Sequence, residues 1–142
     1  MPIHDDLRWF YPIDWPLISR RIRFGRAKGR CERCGRPDRI EVLQLADGRW
    51  YDPESQSWRA DDGSPAAFPD IVEYCKAEPR RFVLGTAHLD HNPSNSEPSN
   101  LMALCQRCHL RHDREEHQRR RRITILLRRA LGDLFTGPYR RW

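Results

Sequence analysis

In "WPLISRRIRFGRAKGR" the apolar residues Leu17, Ile18, Ile22 and Phe24 fall near helical spacing with arginines between them, and Gly29 offers a stop. The pattern predicts a short amphipathic helix. In "RIEVLQL", Ile40, Val42, Leu43 and Leu45 alternate imperfectly with polar residues, and "ADGRWYD" follows with Asp47-Gly48, a strong hairpin turn. Two strands are expected there. Residues 52–69 are rich in turn formers and hold a second Asp-Gly, so they read as a loop or a weak further hairpin.

"DIVEYCKAEPRR" reads as a helix capped by Asp70, whose carboxylate can accept the unpaired amides of the first turn, with Pro79 ending it. "FVLGTAHLD" reads as a strand. From Cys108 no proline occurs until Pro138, and Ile123, Leu126, Leu127, Ala130, Leu131 and Leu134 recur at three- and four-residue intervals. The pattern predicts a long amphipathic C-terminal helix, closed by Tyr139 and Trp142, which either anchor it or fold back on the core.

Composition changes this picture in one respect. With 142 residues, 38% of them apolar, 32% charged and eleven prolines, the chain is about one domain's worth, with a core that needs an additional staple. No N-terminal apolar segment resembles a signal peptide and no run approaches a membrane span, so a cytoplasmic protein with no membrane association is expected. In that compartment thiols stay reduced, and five cysteines read better as metal ligands than as disulfides.

The net charge is +6 and the pI about 9.4. It is unevenly spread: residues 17–40 carry +7, residues 105–142 carry +7, residues 41–104 carry −6 and residues 1–16 carry −2. Basic ends around an acidic middle favour a polyanionic partner.

Cys31 and Cys34 form one Cys-x-x-Cys, and Cys105 and Cys108 a second. That spacing lets thiolates share a tetrahedral zinc ion, which would supply the staple. Cys75 has no partner at this spacing and reads as a buried apolar thiol.

Beside the second pair, "HLDHNPSNSEPSNLMALCQRCHLRHD" concentrates His88, Asp90, His91, Asn100, His109, His112 and Asp113. Asn92 and Pro93 signal a bend that can turn Asp90 and His91 toward one site. His109 and Asp113, four apart on a helix, share a face, with His112 beside them. A carboxylate and an imidazole from two elements make an incomplete shell for a divalent ion, and a second imidazole can take a proton from water.

This stretch, together with "CERCG", resembles the core of the HNH endonuclease family. The resemblance covers Cys31 to Cys34 and about His88 to Asp113. It implies an α+β fold: a ββα-metal (His-Me finger) core with a zinc knuckle, an N-terminal helix, an inserted β-hairpin and a long basic C-terminal helix. On that likeness 1–142 is a single domain, with 17–40 the lead-in helix and first knuckle, 41–85 the insert, 86–117 the core and 118–142 a basic extension.

The resemblance further implies His91 as general base, Asn100 as the central asparagine, and Asp90 and His109 as ligands of a catalytic ion. Asp113 stands where the family often has histidine or asparagine; it either ligates or is a solvated helix residue. A carboxylate there favours magnesium or manganese over zinc as the catalytic ion. The four cysteines correspond to a structural zinc.

Arg111, Arg114, Arg119, Arg120, Arg121 and Arg122 are candidate phosphate contacts with DNA, with RNA an open alternative. The same helix also suits an anionic membrane surface or a partner protein. The rival function is a non-catalytic zinc module binding nucleic acid or protein. A zinc-dependent deaminase is disfavoured by the absence of His-x-Glu before a Pro-Cys-x-x-Cys.

Overall fold

A computed structural model describes residues 5–135. The fold is mixed α+β, and the chain divides into two compact units, Met1–His109 and Leu110–Trp142. Pro138, Tyr139 and Trp142 lie outside the described residues.

The first unit begins with a short 3-10 turn, Asp5–Phe10, then helix α1 (Trp15–Arg20), which runs into a wider π turn, Arg21–Arg26. Pro16 sits in the first turn of α1, where its missing N–H costs nothing. The predicted helix is therefore present. It buries only part of the expected stripe: Ile22 is buried and Ile18 partly so, whereas Leu17 and Phe24 face solvent. Gly29 adopts φ 73°, a conformation open to glycine at no steric cost.

The insert is larger than one hairpin. Strands β1 (Glu41–Gln44), β2 (Trp50–Asp52), β3 (Ser57–Arg59) and β4 (Glu78–Arg81) form an antiparallel sheet in the order β3-β2-β1-β4. The Asp47-Gly48 turn joins β1 to β2 as its sequence requires, with Gly48 at φ 96°.

Helix α2 (Ile71–Cys75) starts at Asp70 with a complete capping box: Glu73 N–H donates to Asp70, and Asp70 N–H donates back to the Glu73 carboxylate. Two expectations fail here. Pro79 does not end this helix but lies inside β4, opposite Leu43, which an edge strand tolerates because it needs no outward N–H. Cys75 is exposed rather than buried, because the short α2 buries none of its residues.

Strands β5 (Leu84–His88) and β6 (Leu101–Cys105) form a separate antiparallel pair, register Leu84↔Cys105 to His88↔Leu101, and β6 leads directly into helix α3 (Gln106–Phe135). β6 is buried on both faces. Leu101 and Ala103 meet Ile22, Trp15 and Ile18, while Leu104 and Cys105 join Trp50, Val42, Phe82, Leu84 and the other site cysteines. A strand covered on both sides reads as an unbroken apolar run, and "LMALC" is one.

The outer edge of β6 is covered by the first knuckle. Glu32 N–H donates to Ala103 O at 2.9 Å, Ala103 N–H donates to the Glu32 carboxylate at 2.6 Å, and Arg26 donates to Leu101 O. This pairing removes the unsatisfied edge that an isolated two-stranded sheet would expose. It also carries the first Cys-x-x-Cys to the second across seventy residues of chain.

The second unit consists of α3 beyond His109 together with the C-terminal end of the chain. Ile123, Ile125, Leu126 and Leu127 on α3 are exposed, as are Arg119 to Arg122. Among the described residues no helix is long and apolar enough to cross a membrane.

Candidate functional site

Two sets of chemistry-bearing side chains flank the β5-β6 pair. The first is Cys31, Cys34, Cys105 and Cys108, all at most 3% exposed, with sulfur atoms within 4.8 Å of one another. Cys34 Sγ and Cys105 Sγ are 3.7 Å apart. A disulfide needs about 2.05 Å, whereas thiolates at about 2.3 Å from a tetrahedral zinc ion lie about 3.8 Å apart. The donor set and spacing therefore fit a structural metal ion such as zinc.

Thiols this close compete for protons. Cys34 is drawn down to about 7 by hydrogen bonding with Cys105 and then Cys108, while Cys108 is pushed up, by Cys105 first. Four thiols that cannot share their protons comfortably are well matched to a cation that displaces them.

The second set lies at the end of β5. The strand stops at His88, Leu89 and Asp90 turn, and His91 takes φ 57°, an unusual backbone for a residue with a side chain. That conformation is the bend expected from Asn92 and Pro93.

Asn100 braces the turn from the residue just before β6. Its carbonyl oxygen accepts from Asp90 N–H at 3.2 Å, and its amide donates at 2.8 Å both to Asp90 Oδ1 and to Asn95 O. The brace thus acts on Asp90, one residue before His91. Asp90 Oδ1 also accepts from Asn92 N–H at 2.9 Å, and Oδ2 from the Asn95 amide at 2.8 Å. These donors, Asn100 foremost, hold the exposed Asp90 carboxyl at about 2, so it is an anion at any physiological pH.

His109, in the first turn of α3, packs over β5 at Gly85, where an added Cβ would lie 3.2 Å from the imidazole Nδ1. Between these two positions His88 is buried, stacked on Trp15 at 4.9 Å with Tyr11 edge-on at 5.6 Å. Burial lowers the His88 pKa; Asp90 counteracts this and His109 adds to it. The strand histidine is thus an aromatic packing residue beneath the loop.

Asp113 and His112, with Arg111, Arg114 and Arg119 to Arg122, belong to the second unit. Arg119 and Arg120 pair with Glu116 there, at 3.1 and 2.8 Å.

Part of the basic N-terminal segment is engaged within the fold. Arg26 forks onto Glu32 at 2.9 and 2.8 Å, Arg30 pairs with Asp52 and Glu54, Arg36 pairs with Asp61, and Arg23 donates to Ser19 O and Leu84 O. Four of its nine cations are committed inside the fold.

Asn95, Gly85 and Trp15 escaped the sequence reading. Asn95 had a local signal, a second asparagine in "HNPSNS"; the other two act through packing between distant segments. No family model, curated protein or solved structure matches this chain.

Proposed function

We propose that the chain is a metal-dependent endonuclease of the HNH type that hydrolyses phosphodiester bonds in DNA. The observation that carries this reading is the Asp90-Asn100 brace at the end of β5, with a helical imidazole, His109, seated on Gly85 of the same strand. The order of elements supports it too: a two-stranded hairpin runs straight into a helix, with the four-cysteine cluster next to it.

Asp90 and His109 would hold the divalent ion, magnesium or manganese. Their donor types fit: a permanently ionised carboxylate and an imidazole. A bound ion there supplies charge stabilisation to the phosphate and to the departing 3′ oxygen.

His91 takes the proton from the attacking water. Asn100 fixes the turn on which His91 rides, so the base approaches from a preset direction. Products carry a 5′ phosphate and a 3′ hydroxyl. The arginines of α3 supply contacts to the DNA backbone, which makes binding salt-dependent.

The second reading, a zinc-binding module without catalysis, is favoured by one observation: Asp90 already accepts three hydrogen bonds from neighbouring asparagines. Plasmid incubated with the protein and magnesium or manganese distinguishes the two. Nicking that chelator and His91→Ala both abolish is the expected result; indistinguishable behaviour of the wild-type and His91→Ala chains refutes the nuclease reading.

A further inference from the structure

The four-cysteine site has a neighbour whose charges no step of the proposed reaction uses. Arg36 lies two residues after Cys34 and is 0% exposed, between the rings of Phe82 at 5.0 Å and Trp50 at 5.4 Å. Isolating a guanidinium in such a place is costly unless it is paired. Its partners come from the insert: it donates to Gly48 O at 2.9 Å, to Asp61 O at 3.2 Å and to Asp61 Oδ1 at 3.0 Å.

The same Asp61 carboxylate receives a second arginine. Arg107 lies between Cys105 and Cys108 and meets Asp61 with both ends of its fork, Nε to Oδ1 at 2.7 Å and Nη2 to Oδ2 at 3.0 Å. One carboxylate therefore joins a cation from each knuckle.

The loop bearing Asp61 is seated to do so. Gly63, at φ 91°, brings its backbone against the first knuckle so closely that a Cβ would stand 2.7 Å from Cys34 O. Gly48, at φ 96°, likewise leaves only 3.0 Å between a notional Cβ and the Asp61 side chain. Both are places where only glycine permits the approach.

We infer that Asp61 is a positioning residue of the metal site, a carboxylate strap from the insert that binds Arg36 and Arg107 and so holds the two Cys-x-x-Cys knuckles in register around the ion. Charge and geometry give the strap two effects. Four thiolates around a divalent cation carry an excess of negative charge, and the strap keeps a guanidinium beside Cys34 to offset it. The strap also closes the side of the site that faces the insert, slowing the separation of the knuckles that must precede metal loss.

The test is the rate at which zinc-loaded full-length protein surrenders zinc to excess chromophoric chelator, for wild type, Asp61→Asn, Arg107→Met and the double variant. Partners outside a metal's own ligands typically change metal affinity about 10- to 100-fold, so Asp61→Asn is expected to release zinc at least about tenfold faster. Arg107 is partly exposed, and Arg107→Met keeps the test in force should Asp61→Asn not fold; it is expected to accelerate release in the same direction.

The double variant is expected to match Asp61→Asn rather than multiply the two effects. Cobalt loaded in place of zinc should show altered visible bands in Asp61→Asn, a signature that lost fold stability alone would not produce. Release at the wild-type rate from both single variants, or fully multiplicative effects in the double variant, overturns the strap. A wild-type chain that holds no zinc overturns it together with the metal site, whereas failure of the nuclease reading leaves it standing.

Discussion

Cys31, Cys34, Cys105 and Cys108 are placed to hold a structural metal ion, and chelation of the zinc-loaded protein tests how much of the first unit depends on it. Cys34 and Cys105 are 71 positions apart. Closing a loop of that length costs about 4 kcal/mol of chain entropy, by the same argument used for disulfides. A structural zinc site supplies about 10–16 kcal/mol of apparent binding free energy at neutral pH, leaving roughly 6–12 kcal/mol in favour of the closed fold.

That surplus equals the whole stability of an ordinary domain, about 5–15 kcal/mol. The chelated protein is therefore expected to lose its tertiary structure rather than merely soften. Trp50 reports this directly, being 0% exposed and packed in the cluster that contains the four cysteines. The assay is tryptophan emission and near-ultraviolet circular dichroism before and after chelation, with re-addition of zinc as the reversal. A metal-free chain that keeps its blue-shifted emission and melts in one cooperative transition at the wild-type temperature would falsify the reasoning.

Gly85→Ala forces the His109 ring to move by a few tenths of an ångström from a 3.2 Å contact. On the proposed nuclease function, where about 1 Å of misplacement can cost about 100-fold in rate, nicking is expected to fall about tenfold, and an unchanged rate refutes the seating role. The Asp90 carboxyl at about 2 lies below its ordinary 3.8, so its contribution to stability is present above pH 3.8 and is lost as pH falls through about 2. Asn100→Ala removes the leading donor, and NMR titration of the carboxyl should show its midpoint rise toward 3.8; no movement contradicts the brace. For Arg121→Gln combined with Arg122→Gln, the slope of log binding constant against log salt should shrink by about 1–2, roughly 0.9 per lost phosphate contact. A parallel line at lower affinity means those side chains touch no phosphate.

The parts legible in the sequence are those set by neighbours in the chain. Asp47-Gly48 makes its hairpin, Asp70 caps its helix three residues before Glu73, and the proline-free run yields α3, because each depends on local conformation. The cysteine cluster is legible for a different reason, since its ligand spacing repeats. Pro79 misleads because tolerance of proline depends on which edge of a sheet a strand occupies, a tertiary fact. That Arg30 and Arg36 are paired within the fold is not legible, because their acceptors Asp52, Glu54 and Asp61 lie more than twenty positions away. In the loop, Asn100 is singled out only by the family resemblance, and that its bonds land on Asp90 requires the register of β5 against β6.

The exposed Cys75 gives the molecule a built-in counter. Four sulfurs committed to a cation react sluggishly with alkylating or aromatic disulfide reagents, whereas the solitary one on α2 stands open to them. A fully loaded preparation should thus titrate as one fast thiol and a stripped one as five, so the degree of metal occupancy of any sample can be read with a colorimetric reagent alone.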